Sequence, residues 1–221
     1  MPLLFVLIFS GFGIYGYSLK LAADKLLAPK EISIPPDVHV VRDWNPVYGD
    51  VNAPIQVVVF SDLHCPSCRT YHGLIMKRLN SDLQGKVKLY FRHFPMIALH
   101  PNSMKAAFIA EFARTQGKFW EYVHVAFDNP SLQSEDDIVG MVQAVGLRTE
   151  DAAKVLMQDF AKTPIAEKIQ QDIADATRLG VDLTPCWIVT YPDGVTFMGA
   201  GSAINELLSE EMIQKHVGVN Q

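Results

Sequence analysis

Three cysteines occur in 221 residues, Cys65, Cys68 and Cys186, and two of them form the motif Cys65-Pro66-Ser67-Cys68. On a helix, side chains three apart lie one turn along the same face, so the two thiols can reach one another. A first cysteine at a helix N-terminus meets unpaired backbone N–H groups and the positive end of the dipole, both of which favour its thiolate. Only the thiolate attacks a disulfide. At a pKa of about 8.5 roughly 3% of a thiol is ionised at pH 7, whereas below about 6 most of it is. The second cysteine is then placed to resolve the mixed disulfide that the first one forms. The competing chemistry is half of a structural zinc site, which draws a second C-x-x-C or a histidine pair from later in the chain. This chain offers only Cys186 and scattered histidines, so the spacing favours redox chemistry, with neither metal nor cofactor. Cys186 reads as a small buried apolar residue. His64 either carries a charge that lowers the pKa of Cys65 or is an exposed turn residue.

The elements that must position these groups are legible from periodicity. Ile55 to Phe60 is a β-branched run between Pro54 and the turn-like Ser61-Asp62, and predicts a buried strand. Pro66 to Leu79 predicts a helix, with proline tolerated in its first turn. Val87 to Phe91 predicts a second strand, beside the first if the connection is a right-handed crossover. From Pro101 to Leu179 the pattern is helical, with Ser134 as an N-cap before acids and segments at Glu150 to Phe160 and Pro164 to Leu179, ended by Gly180. Cys186 to Thr190 and Val195 to Met198 predict a hairpin around Tyr191-Pro192-Asp193-Gly194, followed by one helix from Ile204 to His216. His72 falls two turns past Cys65 and is expected at the surface. Met96, Ile97 and Leu99, between a strand and Pro101, are expected in ordinary core, with an apolar substrate groove as the alternative.

Hydrophobic residues make up 49% of the chain and charged residues 19%, enough apolar content for a sizeable core. A net charge of −5 argues against a nucleic-acid partner, which needs a basic face. Residues 1 to 19 carry no charged side chain. As a helix, Leu3 to Leu19 would span roughly 26 Å, close to the ~30 Å apolar slab of a membrane. We expect a transmembrane anchor over 1–19, with a cleaved signal segment as the alternative. Lys20, Lys25 and Lys30 after it would favour the cytoplasmic side on charge alone. Residues 20–45, with Pro29, Pro35 and Pro36, are expected to form a stalk.

Phe60-Ser61-Asp62-Leu63-His64-Cys65-Pro66-Ser67-Cys68, preceded by Gly49-Asp50-Val51-Asn52-Ala53-Pro54, resembles the DsbA-like thioredoxin family of exported thiol:disulfide oxidoreductases. So do Phe91-Arg92-His93-Phe94-Pro95 with His100-Pro101, Gln116-Gly117-Lys118-Phe119-Trp120, and Thr184-Pro185 before a strand. The resemblance covers about residues 46 to 216. It implies an α/β thioredoxin fold with a helical domain inserted at about 97–180, placed outside the cytoplasm. By the same resemblance Cys65 is the nucleophile and Cys68 the resolving thiol, while Pro66 and Ser67 tune the potential. Thr184 would present its backbone to the substrate, and Pro185 would be a cis residue packed against the cysteine pair. The implied partners are protein substrates with cysteines and a membrane redox partner that resets the Cys65–Cys68 pair. Two positions depart from the family. Val59 stands where many members have a buried glutamate that moves the resolving cysteine's proton, leaving Asp62 or a water for that task. Cys186 stands where threonine or alanine is usual, and is expected close beneath the active pair. An alternative function is a thioredoxin-fold copper chaperone or metalloprotein assembly factor using Cys65, Cys68 and Cys186.

Overall fold

A computed structural model describes residues 27–157 and 162–218; the expected anchor over 1–19 lies outside them. Among the described residues no helix is long and apolar enough to cross a membrane.

The elements run β1 (Lys30–Glu31), β2 (Val47–Tyr48), β3 (Ile55–Ser61), α1 (Pro66–Leu79) and β4 (Val87–His93). Helices α2 (Ser103–Thr115), α3 (Phe119–Asp128), α4 (Glu135–Gly140), a 3-10 turn (Met141–Val145), α5 (Thr149–Leu156) and α6 (Pro164–Arg178) follow. The chain then returns through β5 (Cys186–Thr190), β6 (Thr196–Ala200), α7 (Ala203–Leu207) and α8 (Glu210–Val217). The sheet order is β1-β6-β5-β3-β4-β2, with β3 and β4 parallel and β3 antiparallel to β5. The apolar run of β3 follows from this centrality: both of its faces are covered, so no polar alternation survives.

The two faces carry separate cores. Val57, Val59, Leu89, Phe91, Trp187 and Val189 face the larger core, formed with α1 and the helices between β4 and β5. Val58, Phe60, Cys186, Ile188 and Met198 face a smaller one. In the larger core Tyr122 is fully buried and its hydroxyl donates to the Ile138 carbonyl at 3.1 Å, so the burial leaves no polar atom unpaired.

Two sequence expectations change. Much of the segment expected as a stalk packs on the domain: β1 pairs antiparallel with β6, Val38 is buried, and Arg42 donates through Nε to Asp175 at 2.9 Å. The expected helix from Ile204 to His216 is two helices, because the Ser209 side chain accepts from the Met212 N–H and caps a new start at Glu210.

One buried ionic cluster ties these pieces together. Arg92, fully buried on β4, donates through Nε to Asp172 at 2.8 Å and through Nη2 to Asp175 at 2.7 Å. Asp172 also accepts from the His93 N–H at 2.9 Å. Strand β4, helix α6 and the residue 39–45 segment therefore share one charge network.

Candidate active site

Cys65 is itself the N-cap of α1. Its backbone is extended (φ −77°, ψ 122°), Pro66 fills the first helical turn, and its sulfur accepts from the Cys68 N–H at 3.5 Å. Proline costs nothing there, because the N–H it lacks would have had no helical partner. Both thiols are free and buried, Cys65 at 8% exposure and Cys68 at 2%. On the far side of Cys65 the Thr184–Pro185 peptide is cis, as expected. The Thr184 carbonyl lies 3.5 Å from the Cys65 sulfur, in position to accept from the thiol.

The surroundings drive the two thiols apart in acidity. The Cys65 pKa falls from 9.0 to about 5. The largest cause is the hydrogen bond from the Cys68 thiol, with further ones from Thr184 and the Cys68 and Ser67 backbone, while burial opposes them. Cys68 moves well above 9.0, first because it is buried and then because it faces the Cys65 charge. The surroundings thus favour the thiolate at Cys65 and the protonated thiol at Cys68, the kind of split that disulfide exchange uses.

His64 is buried, and burial lowers its pKa, with the nearby Asp62 charge opposing and His100 assisting. It stands beside Cys65 as a neutral ring. Ser67 contributes its N–H to the Cys65 sulfur.

Asp62 does more than make a turn. It is 1% exposed, and its carboxylate accepts from the His64 N–H at 2.8 Å and the Met96 N–H at 2.7 Å, and contacts His100 Nδ1 at 2.9 Å. It clips the motif loop to the segment after β4. Met96 in turn receives the Thr184 hydroxyl on its sulfur at 3.4 Å. Ile97 and Leu99, expected in core, are 55% and 67% exposed. The three proline-flanked residues follow no helical or strand period, so their burial was not encoded locally.

Cys186 corrects an expectation. It does not lie beneath the active pair: it pairs with Phe60 across the sheet and faces the smaller core, whereas Cys65 and Cys68 belong to the larger one. Strand side chains alternate, so Trp187 takes the inner face and its neighbour takes the outer. Burial pushes the Cys186 thiol up to about 12, with Asp182 adding to it. Cys186→Ala is therefore expected to leave exchange activity within about twofold and to cost on the order of 1 kcal/mol in denaturant unfolding. Disulfide mapping of the oxidised protein should find Cys65–Cys68, with Cys186 free.

A dithiol capping a helix after a central strand, facing a cis-proline loop, defines a thioredoxin-fold exchange site. The thioredoxin family model matches residues 43–194, and the chain belongs to that family. It is 31% identical over 143 residues to the probable disulfide bond formation protein D of Bacillus cereus, covering 62% of this chain and 66% of that protein. It is 27% identical over 176 residues to the Na(+)/H(+) antiporter NhaA 1 of Mycolicibacterium vanbaalenii, covering 80% of this chain and 28% of that protein. The chain thus spans between about a quarter and two thirds of the length of these relatives. The solved thioredoxin-like oxidoreductase of Silicibacter pomeroyi DSS-3 superposes with a TM-score of 0.65 at 25% identity, covering 83% of this chain and 96% of that one. DsbA2 of Pseudomonas aeruginosa shares the fold with a TM-score of 0.61 at 21% identity, covering 77% and 91%. The thioredoxin fold implied by the motifs is the one these structures display.

Proposed function

We propose that this chain is a thiol:disulfide oxidoreductase that oxidises cysteines of protein substrates outside the cytoplasm, tethered to a membrane through residues 1–19. The observation that carries the reading is the acidity split between a helix-capping Cys65 and a buried Cys68. Substrate thiolate attacks the Cys65 sulfur of the Cys65–Cys68 disulfide, Cys68 leaves, and a second substrate thiol displaces Cys65 to complete the substrate's disulfide. The Thr184 backbone borders the attacked sulfur, and exposed Ile97 and Leu99 offer apolar contact to an unfolded chain. A membrane redox partner would re-oxidise the pair. The tether rests on the uncharged run 1–19, and the compartment on the persistence of disulfides in oxidising surroundings.

The direction follows from linkage. The folded pKa of Cys65 is about 5 against an ordinary 9.0, so its thiolate stabilises the reduced fold fully above pH 9. That contribution fades between pH 9 and pH 5 and is gone below 5. The raised pKa of Cys68 acts in the opposite sense, but only above pH 9. The oxidised protein has no thiolate to stabilise, so near neutral pH the reduced form is favoured and the disulfide is oxidising. Equilibration with glutathione at pH 7 should give a reduction potential tens of millivolts or more above the roughly −270 mV of thioredoxin. A value at or below that figure would refute the oxidant reading.

The copper-chaperone alternative loses its third ligand, since Cys186 faces the other side of the sheet. Among the described residues no three His, Cys, Asp or Glu side chains gather as a metal site.

A further inference from the structure

Disulfide exchange at Cys68 needs a proton acceptor that neither Val59 nor Asp62 supplies. Val59 has no ionisable group, and both carboxylate oxygens of Asp62 are committed to the His64 and Met96 N–H groups and to His100. Beside Cys68 lies a small, partly open cavity of about 10 Å³, near the lower limit for a single water. Val59, Phe91 and Trp187 give it apolar walls, and the indole N–H of Trp187 is satisfied elsewhere, on the Gly201 carbonyl. Three polar side chains reach it: Cys68, Ser61 and His72. The Ser61 side chain lines the cavity with Cys68 and acts to lower the pKa of its thiol. His72 follows Cys68 by four residues on α1, one turn along the same face. Its Nε2 is sealed from solvent and has no hydrogen-bond partner within the protein. A buried polar atom without a partner is costly, so its retention next to the reacting thiol calls for a use.

We propose that His72 accepts the Cys68 proton during resolution, through the Ser61 hydroxyl or one water in the shared cavity. This rests on the Cys65–Cys68 exchange reading. When Cys68 attacks a mixed disulfide at Cys65, the Cys68–Cys65 sulfur bond forms and the bond from Cys65 to the substrate sulfur breaks. The substrate thiolate leaves with the electron pair, and the Cys68 proton passes to His72. No electron leaves the thiol–disulfide set. In the reverse direction the same group returns a proton to departing Cys68. From His72 the way outward runs by His124 on α3, whose ring centroid is 5.1 Å away and which is half-buried.

The resting ring is neutral: burial, assisted by His124, pulls His72 down to about 3. A neutral imidazole is free to accept; at that pKa it is a weak base, so it holds the proton only transiently as the Cys68–Cys65 bond forms. The titratable and charged groups around this relay are Cys65 and Cys68 on α1 and His124 on α3, itself flanked by Glu121 and Asp128.

The test is the reaction of the reduced full chain with 5,5′-dithiobis(2-nitrobenzoate), which releases one coloured thiolate when Cys65 attacks and a second when Cys68 resolves. His72→Phe and His72→Gln should both slow the second phase roughly 10- to 100-fold near pH 7, at the modest end of general-base effects. The first phase should be unchanged, and the deficit should narrow as pH rises and hydroxide takes over. Glutamine keeps the polar contact but takes no proton. A wild-type second phase in His72→Gln would therefore overturn the proposal in favour of simple positioning. An unchanged second phase in both variants would overturn it, as would equal slowing of both phases, which reports a deformed Cys65 site. Absence of the first phase in the wild-type protein would instead refute the exchange reading itself.

Discussion

Cys65→Ser is expected to reduce disulfide exchange on a reduced, unfolded substrate to the uncatalysed rate, while Cys68→Ser still reacts and accumulates mixed disulfides. The two outcomes differ because the thiols differ. Cys65 carries the helix-capping sulfur with a pKa of about 5, so its loss removes the only activated nucleophile of the pair. Cys68 is buried and protonated, so its loss leaves attack intact and removes resolution. Non-reducing electrophoresis of Cys68→Ser with substrate should show a covalent adduct that a reductant dissolves. Equal activity of the two variants would contradict the division of roles.

The second large effect is on stability. Arg92→Met should destabilise the fold by about 3–5 kcal/mol, since it strands two buried carboxylates without their shared cation. Asp172 retains the His93 N–H and Asp175 retains Arg42, but neither contact replaces a fully buried guanidinium at 2.8 and 2.7 Å. For a chain of this size that loss lowers the melting temperature by roughly 10 °C. Calorimetry of the oxidised protein, whose Cys65 thiolate is absent, isolates the effect from the active-site thiol. A change below about 1 kcal/mol would mean that water reaches the carboxylates and restores their solvation.

The motif and the elements on either side of it were legible because their determinants are local. A β-branched run, a C-P-x-C at a helix start and a second apolar run are each decided within about ten residues, and they became β3, α1 and β4. Thr184-Pro185 was legible through resemblance alone; nothing in its own composition marks a cis peptide. The face taken by Cys186 was not legible, because a strand's register is set by its neighbours and a shift of one residue reverses it. The Arg92 network is likewise invisible in sequence, its partners lying 80 and 83 positions away. Two misses had local signals. Cys68, His72, Ile75 and Leu79 follow the i, i+4, i+7, i+11 pattern of one helix face, which turns His72 half inward, its Nε2 sealed while the residue as a whole stays half-buried. Ser209 before Glu210-Glu211 is an N-cap with acids behind it, enough to divide the last helix.

The central claim is that the fold makes Cys65 an acidic, reactive thiol while silencing its neighbours. The most direct test is the pH dependence of iodoacetamide labelling in the native reduced protein, read site by site by mass spectrometry. Cys65 should label with a midpoint near pH 5, with Cys68 and Cys186 unlabelled throughout the neutral range. Slow labelling of Cys65 and Cys68 together, with a midpoint near the ordinary thiol value of about 8.5, would contradict the account.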